Sequence, residues 1–236
     1  MSDTTKMVLL YGESGIGKTT LALTAPQPHL VLDQEGSRSI LEGYTEWSPG
    51  ETPVKELAEG NYWVSAANIV PAVRAEAQHP GKFASVIFDS VTNWQRTLAR
   101  HSTTGNRYGQ AGDVYKYWSK IYEDTMGLLD MLHAMKLRVK GPSHVICTAQ
   151  LYRRQDEHGT ATLLAPSLYG QGRDEFIQAS DLVGYLTLDT QGNRYMATAK
   201  TPIITAKHRS KLLAESPNPY PIKAGTSVLT NIIEGW

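Results

Sequence analysis

Residues 7 to 20, Met-Val-Leu-Leu-Tyr-Gly-Glu-Ser-Gly-Ile-Gly-Lys-Thr-Thr, constrain this chain more than any other stretch. Val8, Leu9 and Leu10 form a short apolar run that reads as a buried parallel strand. Gly12 to Thr19 then spell G-x-x-x-x-G-K-T, and Thr20-Leu21-Ala22-Leu23 opens a helix. Strand, glycine loop and helix in that order are the setting a phosphate loop requires. Gly12, Gly15 and Gly17 let the backbone curl with its N–H groups inward, an anion nest at a helix N-terminus. Glu13, Ser14, Ile16 and Thr20 complete the cradle. Lys18 is placed to reach the β- and γ-phosphates, and the Thr19 hydroxyl to join a Mg²⁺ shell. The stretch specifies a nucleoside-triphosphate site, with ATP and Mg²⁺ as the expected ligands.

The 236 residues suit one ample domain, with a core over about 7–212 and a C-terminal extension over about 213–236. Lys plus Arg equals Asp plus Glu at 23 each, so any nucleic-acid binding must come from a local patch. The single cysteine, Cys147, excludes an intrachain disulfide and a cysteine-rich zinc site, and reads as core in Val145-Ile146-Cys147. Seven scattered histidines show no ligand spacing. A polar N-terminus and the lack of any membrane-length apolar run make a cytoplasmic protein without a membrane partner the expectation.

The pattern predicts strands over 29–33, 83–89 and 143–150, and helices over 69–78 and 114–136. Val114, Trp118, Ile121, Thr125, Leu128, Leu132 and Met135 fall on one face of the longer helix and read as core. Alternating runs at 182–188 and 194–198 around Gln191-Gly192-Asn193 predict a hairpin. Residues 203–207 read as another strand and 228–234 as a terminal helix. Residues 44–64 read as an irregular connection, 102–113 as a polar loop, and 151–173 as a long loop or hairpin. The sum is an α/β fold, a mostly parallel central sheet flanked by helices with antiparallel strands towards the C-terminus.

A second acid is expected at Asp89, which ends the apolar run Ser85-Val86-Ile87-Phe88. A carboxylate there lies beside the phosphate loop and orders the Mg²⁺ shell through water. Ser90 follows it and reads as a helix N-cap. Because no Glu follows Asp89, the carboxylate that orients water must come from elsewhere. Glu35, just past the second strand in Val31-Leu32-Asp33-Gln34-Glu35-Gly36, is the first choice and Asp33 the alternative.

With Glu35 and the Asp89-Ser90 pair in place, the chain resembles the RecA-type P-loop superfamily of recombinases, DnaB-type helicases and KaiC-like proteins. Thr148-Ala149-Gln150 ends the fourth strand, and the resemblance implies that Gln150 senses the γ-phosphate. Ala206-Lys207-His208-Arg209-Ser210 resembles the K-x-R element that reaches a neighbouring subunit's nucleotide, which assigns Lys207 and Arg209 to catalysis across an interface. Over roughly residues 7–212 the chain is similar to short phage-encoded RecA-core ATPases linked to single-strand annealing and recombination. The resemblance implies a homo-oligomer, single-stranded DNA and a single-strand-binding protein as partners, and a host-cell cytoplasm if the chain is phage-encoded. Only six residues precede the first strand, which argues against the recombinases' filament and leaves a ring open.

In RecA-like proteins two loops grip single-stranded DNA. Here the second would be 151–173, with Tyr152, Arg153, Arg154, Tyr169 and Arg173, and the first 102–113, with Arg107 and Tyr108. Arginines neutralise phosphates and tyrosines stack bases. Two other readings stay open. In a small-molecule phosphotransferase Arg153 and Arg154 would belong to a lid over the phosphates. In a nucleotide-switched scaffold or loader of phage replication, hydrolysis would be incidental.

Overall fold

The computed structural model describes residues 5–79, 81–104, 114–136 and 144–236. In chain order its elements are β1 (Met7–Gly12), α1 (Lys18–Ala22), β2 (His29–Asp33), β3 (Thr45–Glu46), β4 (Tyr62–Ser65), α2 (Ile69–Gln78), β5 (Ser85–Asp89), α3 (Val91–Thr104) and α4 (Val114–Lys136). There follow β6 (His144–Gln155), β7 (Ala161–Pro166), α5 (Gln171–Ala179), β8 (Leu182–Leu188), β9 (Arg194–Ala197), β10 (Lys207–His208), α6 (Lys211–Ala214), β11 (Tyr220–Ile222) and α7 (Val228–Glu234).

β1 is buried along its whole length because both of its faces are covered, which is why it reads as a continuous apolar run. Alternation along it separates two layers. Met7, Leu9 and Tyr11 pack with Ile69 and Val73 of α2, Leu128 and Leu132 of α4, and Phe176 of α5. Val8 and Leu10 pack on the other face with Leu21 and Ala22 of α1, Leu213 of α6, and Leu229, Ile232 and Ile233 of α7. The longest helix turns Ile121, Thr125, Leu128 and Leu132 inward as its spacing predicts. Val114, Trp118 and Met135 of the same stripe have side chains outside the described set.

The sheet order is β11-β9-β8-β1-β6-β5-β2-β4-β3, with β10 on β8 and β7 on β6. The run from β8 to β3 is parallel throughout. β9, β10, β11 and β7 add antiparallel pairs. This is a mostly parallel α/β sheet flanked by helices, with the glycine loop leaving its β1 strand. Among the described residues no helix is long and apolar enough to cross a membrane.

Four expectations need correction. The irregular connection over 44–64 contains two parallel strands, β3 and β4, because Tyr62, Trp63 and Val64 pair with Leu30, Val31 and Leu32. The fourth strand does not stop at Gln150 but runs on to Gln155, stabilised by antiparallel pairing with β7. The strand expected over 203–207 shrinks to β10, preceded by an isolated bridge between Leu164 and Ile204. The polar loop expected over 102–113 is helical in its first residues, since α3 continues through Thr104; residues 105–113 lie outside the described residues. The C-terminal stretch belongs to the fold. β11 extends the sheet, and α7 is tied to the turn after α1 by Leu229 N–H to Thr24 Oγ1 (3.0 Å) and Thr230 Oγ1–H to the Thr24 carbonyl (2.8 Å).

Candidate nucleotide site

The phosphate loop leaves the C-terminal end of β1 and feeds α1, whose N-cap is Gly17. Gly17 adopts φ +97°, a left-handed conformation that a side chain resists, and a Cβ there would also lie 3.2 Å from the Arg194 guanidinium. Lys18 is buried, and its ammonium donates to the carbonyls of Gly12 (3.1 Å) and Glu13 (2.7 Å). Burial lowers its pKa, and the carboxylates of Glu35, Asp89 and Glu13 pull it back up. Three acids thus favour the charged form of this one cation.

Asp89 is 1% exposed and fully engaged. Its Oδ2 accepts from Thr19 Oγ1 (2.7 Å) and Ser37 Oγ (3.2 Å), and its Oδ1 from Thr148 Oγ1. Register explains the meeting. Ile87 faces the α1 layer, so Asp89, two residues on, faces it too. β6 lies between β1 and β5, so Asp89 sits one strand away from β1 and Thr148 fills the gap. Among the described residues no group of three or more His, Cys, Asp or Glu could hold a metal unaided. A hydroxyl and a carboxylate in contact are hard oxygen donors, and they fit Mg²⁺ whose remaining ligands are phosphate oxygens and water.

Glu35 approaches from the turn after β2, and its Oε1 accepts from Ser90 Oγ at 2.5 Å. Ser90 is buried, follows Asp89 directly, and caps α3 by accepting from Asn93 N–H (3.3 Å). Asp33, the alternative acid, is taken up by the turn itself: its Oδ1 accepts the N–H groups of Glu35 (3.1 Å), Gly36 (2.8 Å) and Ser37 (3.1 Å). Gln150 stands opposite Gly12 in the β1–β6 register, and its Oε1 accepts from Arg96 Nη1 at 2.6 Å.

Other predicted residues lie farther out. Arg153 on β6 reaches back to the phosphate loop and pairs with Glu13 Oε1 at 2.7 Å. Tyr152 is exposed, with the Arg173 guanidinium 5.9 Å from its ring centroid, and Arg154 is exposed nearby on the same strand. Lys207 pairs with Val183, near the N-terminal end of β1, and its ammonium donates to the Gln178 carbonyl (3.0 Å). Arg209 is 61% exposed and pairs with Asp181 (3.1 Å), whose other oxygen accepts from Met7 N–H (2.9 Å). These two cations therefore sit at the opposite end of the sheet from their own chain's phosphate loop. Arg107 and Tyr108 lie outside the described residues. Cys147 is fully buried core, and burial pushes its thiol up to about 12.

Beside the loop opens a cavity of about 720 Å³ that the sequence did not announce. Gly15–Gly17, Thr20 and Thr24 form one wall, and Leu186, Arg194, Tyr195, Ile222 and Lys223 the other. The antiparallel C-terminal strands build this second wall. Ser37, Arg96 and Thr148 were equally silent, because a single polar residue on a strand, helix or turn carries no local signal of its distant partner.

The phosphate loop, the parallel strand order and the gathering of Thr19, Asp89 and Lys18 define a P-loop ATPase. The chain belongs to the AAA domain family, whose model matches residues 4–210. No curated protein matches it. Among solved structures it is similar to a prototypical ATPase from the type III secretion system of pathogenic bacteria, at 16% identity and a TM-score of 0.46. That alignment covers 80% of this chain and 52% of the other, so the chain spans about half the length of that protein.

Proposed function

We propose that this AAA-type P-loop ATPase hydrolyses ATP with Mg²⁺, assembles with copies of itself, and holds single-stranded DNA for annealing or recombination. The observation that carries the hydrolytic part is the linked set Thr19–Asp89–Thr148 and Glu35–Ser90 around Lys18. Lys18 and the loop amides bind the β- and γ-phosphates. Thr19 and Asp89 would hold Mg²⁺, which neutralises phosphate charge when bound. Glu35, aimed by Ser90, orients the attacking water. The cavity bounded by Arg194 and Tyr195 accepts the nucleoside, so its wall comes from this chain's own C-terminal strands. Lys207 and Arg209, turned away from their own loop, serve a neighbour's triphosphate.

Support for DNA rests on the β6–β7 hairpin, which continues from Gln150 and exposes Tyr152 and Arg154, with the half-buried Arg173 guanidinium of α5 beside the Tyr152 ring. Stacking on such aromatics contributes about 1–3 kcal/mol per base. The Arg153–Glu13 pair favours the second reading, a phosphotransferase lid, because it draws one hairpin arginine to the phosphates rather than to a strand of DNA. ATP turnover with and without a single-stranded oligonucleotide, with solution mass in ATP, tests the proposal. Stimulation by the oligonucleotide in an assembled protein is expected. A monomer that ignores oligonucleotides and needs a small acceptor would replace it with the lid reading.

A further inference from the structure

Arg96 fixes how the side-chain amide of Gln150 is turned. Its Nη1 lies 2.6 Å from the Gln150 amide. A guanidinium has donors and no acceptor, so the amide atom it faces must be Oε1. The amide is planar, so the NH₂ group is thereby turned away from Arg96. The rest of Gln150 is equally constrained. Its N–H donates to Thr92 Oγ1 (2.9 Å), its carbonyl accepts from Ser167 N–H (2.7 Å), and its register partner is Gly12, the first residue of the loop. Arg96 and Thr92 both belong to α3, so one helix grips both the backbone and the side chain of this residue.

We propose that Arg96 is a positioning residue: it holds the Gln150 amide with its donor end towards the terminal phosphate, and so gives the site its preference for triphosphate over diphosphate. The inference rests on the ATPase reading above. A glutamine free to rotate would present its carbonyl oxygen to the phosphate for part of the time, and that oxygen repels an anion. With Oε1 occupied by Arg96, only N–H is offered. The same helix carries the consequence outward. Thr92 Oγ1 donates to the Ser167 carbonyl (2.9 Å), and Gln95 Oε1 accepts from Tyr169 N–H (2.8 Å). A shift of Gln150 towards a γ-phosphate therefore pulls on the segment that leads from β7 into α5.

The test is a double-mutant cycle on Arg96 and Gln150, read as dissociation constants for ADP and for a non-hydrolysable ATP analogue. Arg96→Ala is expected to weaken the triphosphate analogue about 5- to 10-fold, the value of one net hydrogen bond, and to leave ADP unchanged. In a Gln150→Ala background it should change neither. Arg96→Lys, which still donates to Oε1, should recover part of the preference. Should the alanine variant fail to fold, Arg96→Gln carries the same test, because its amide accepts as well as donates and no longer dictates the orientation of Gln150. Equal losses for both nucleotides, or additive effects of Arg96→Ala and Gln150→Ala, would overturn the assignment and leave Arg96 as an anchor of α3. A parent protein that binds neither nucleotide would instead overturn the ATPase reading itself.

Discussion

Glu35→Gln separates catalysis from binding at this site. The substitution removes one negative charge and keeps the side chain's shape. Gln retains an oxygen that accepts from Ser90 Oγ, so the 2.5 Å contact that aims residue 35 has a neutral counterpart. The turn is held independently, by three N–H groups on Asp33 Oδ1, so the backbone stays in place. Lys18 loses the largest of the three carboxylate influences on it, while Asp89 and Glu13 remain. Nucleotide affinity should then hold or rise, because an anion that faces a triphosphate has gone.

The loss falls on the chemical step. A positioned general base contributes about 10²–10⁴ in rate. That is about 2.7–5.5 kcal/mol of barrier, and kcat for phosphate release should fall by that factor. Ser90→Ala is the companion. It keeps the charge and releases its aim, removing one hydrogen bond to a charged group worth about 1.5–3 kcal/mol, or roughly 10- to 100-fold in kcat. Phosphate release under saturating ATP, beside titration with a non-hydrolysable analogue, reads both effects. Parental turnover by Glu35→Gln would remove Glu35 from the mechanism. Loss of turnover in Asp33→Asn, with fold and binding intact, would move the role to Asp33.

The cations at the far end of the sheet make a distinct prediction. Arg209→Ala should bind nucleotide normally and lose turnover, whereas Asp181→Asn, which breaks the same ion pair from the other side, should keep it. Arg209→Ala turning over at the parental rate would end the shared-site idea. Acid sensitivity should trace to His144, whose Nδ1 accepts from Lys6 N–H (3.1 Å) and whose pKa burial, aided by the Lys6 charge, pushes down to about 4 from 6.5. Because the folded value is depressed, its contribution is complete above about pH 6.5 and is withdrawn as pH falls towards 4, on the order of 3 kcal/mol. Thermal melting across that window should show the loss, and His144→Gln should flatten it. An unchanged slope would clear His144.

The best-read elements were those whose signals are local. α2 and α4 fall on the spans that their apolar spacing marks, and β2 and β8 match their apolar runs residue for residue. β4 was missed because its three buried residues sit inside a Pro- and Gly-rich stretch, and only pairing with β2 makes them a strand. The end of β6 was missed for the opposite reason. Tyr152 to Gln155 are exposed and polar, and it is β7, not burial, that keeps them extended. Within the site, the phosphate loop was legible because its parts are contiguous. Asp89 drew notice because it ends an apolar run, and Glu35 because it lies just past one. Thr148 and Arg96 were not, since their importance lies in partners 59 and 54 residues away.

β6 accounts for much of what the site does. Inserted between β1 and β5, it places Thr148 against Asp89 and Gln150 opposite the first loop glycine. The same uninterrupted strand then carries Tyr152, Arg153 and Arg154 into the hairpin. Pairing with β1 through Gln150, taken over by pairing with β7 from Leu151, leaves such a strand little freedom to bend between residues 148 and 150, so a displacement at Gln150 moves the base of the hairpin with it. Arg153 closes a second path, because its bond to Glu13 ties the hairpin to the loop directly. A nucleotide that draws either Gln150 or Glu13 out of its present contacts must therefore also reposition Tyr152 and Arg154. The phosphate loop and the exposed hairpin are joined by covalent strand and ion pair alike, so a displacement of either is carried to the other.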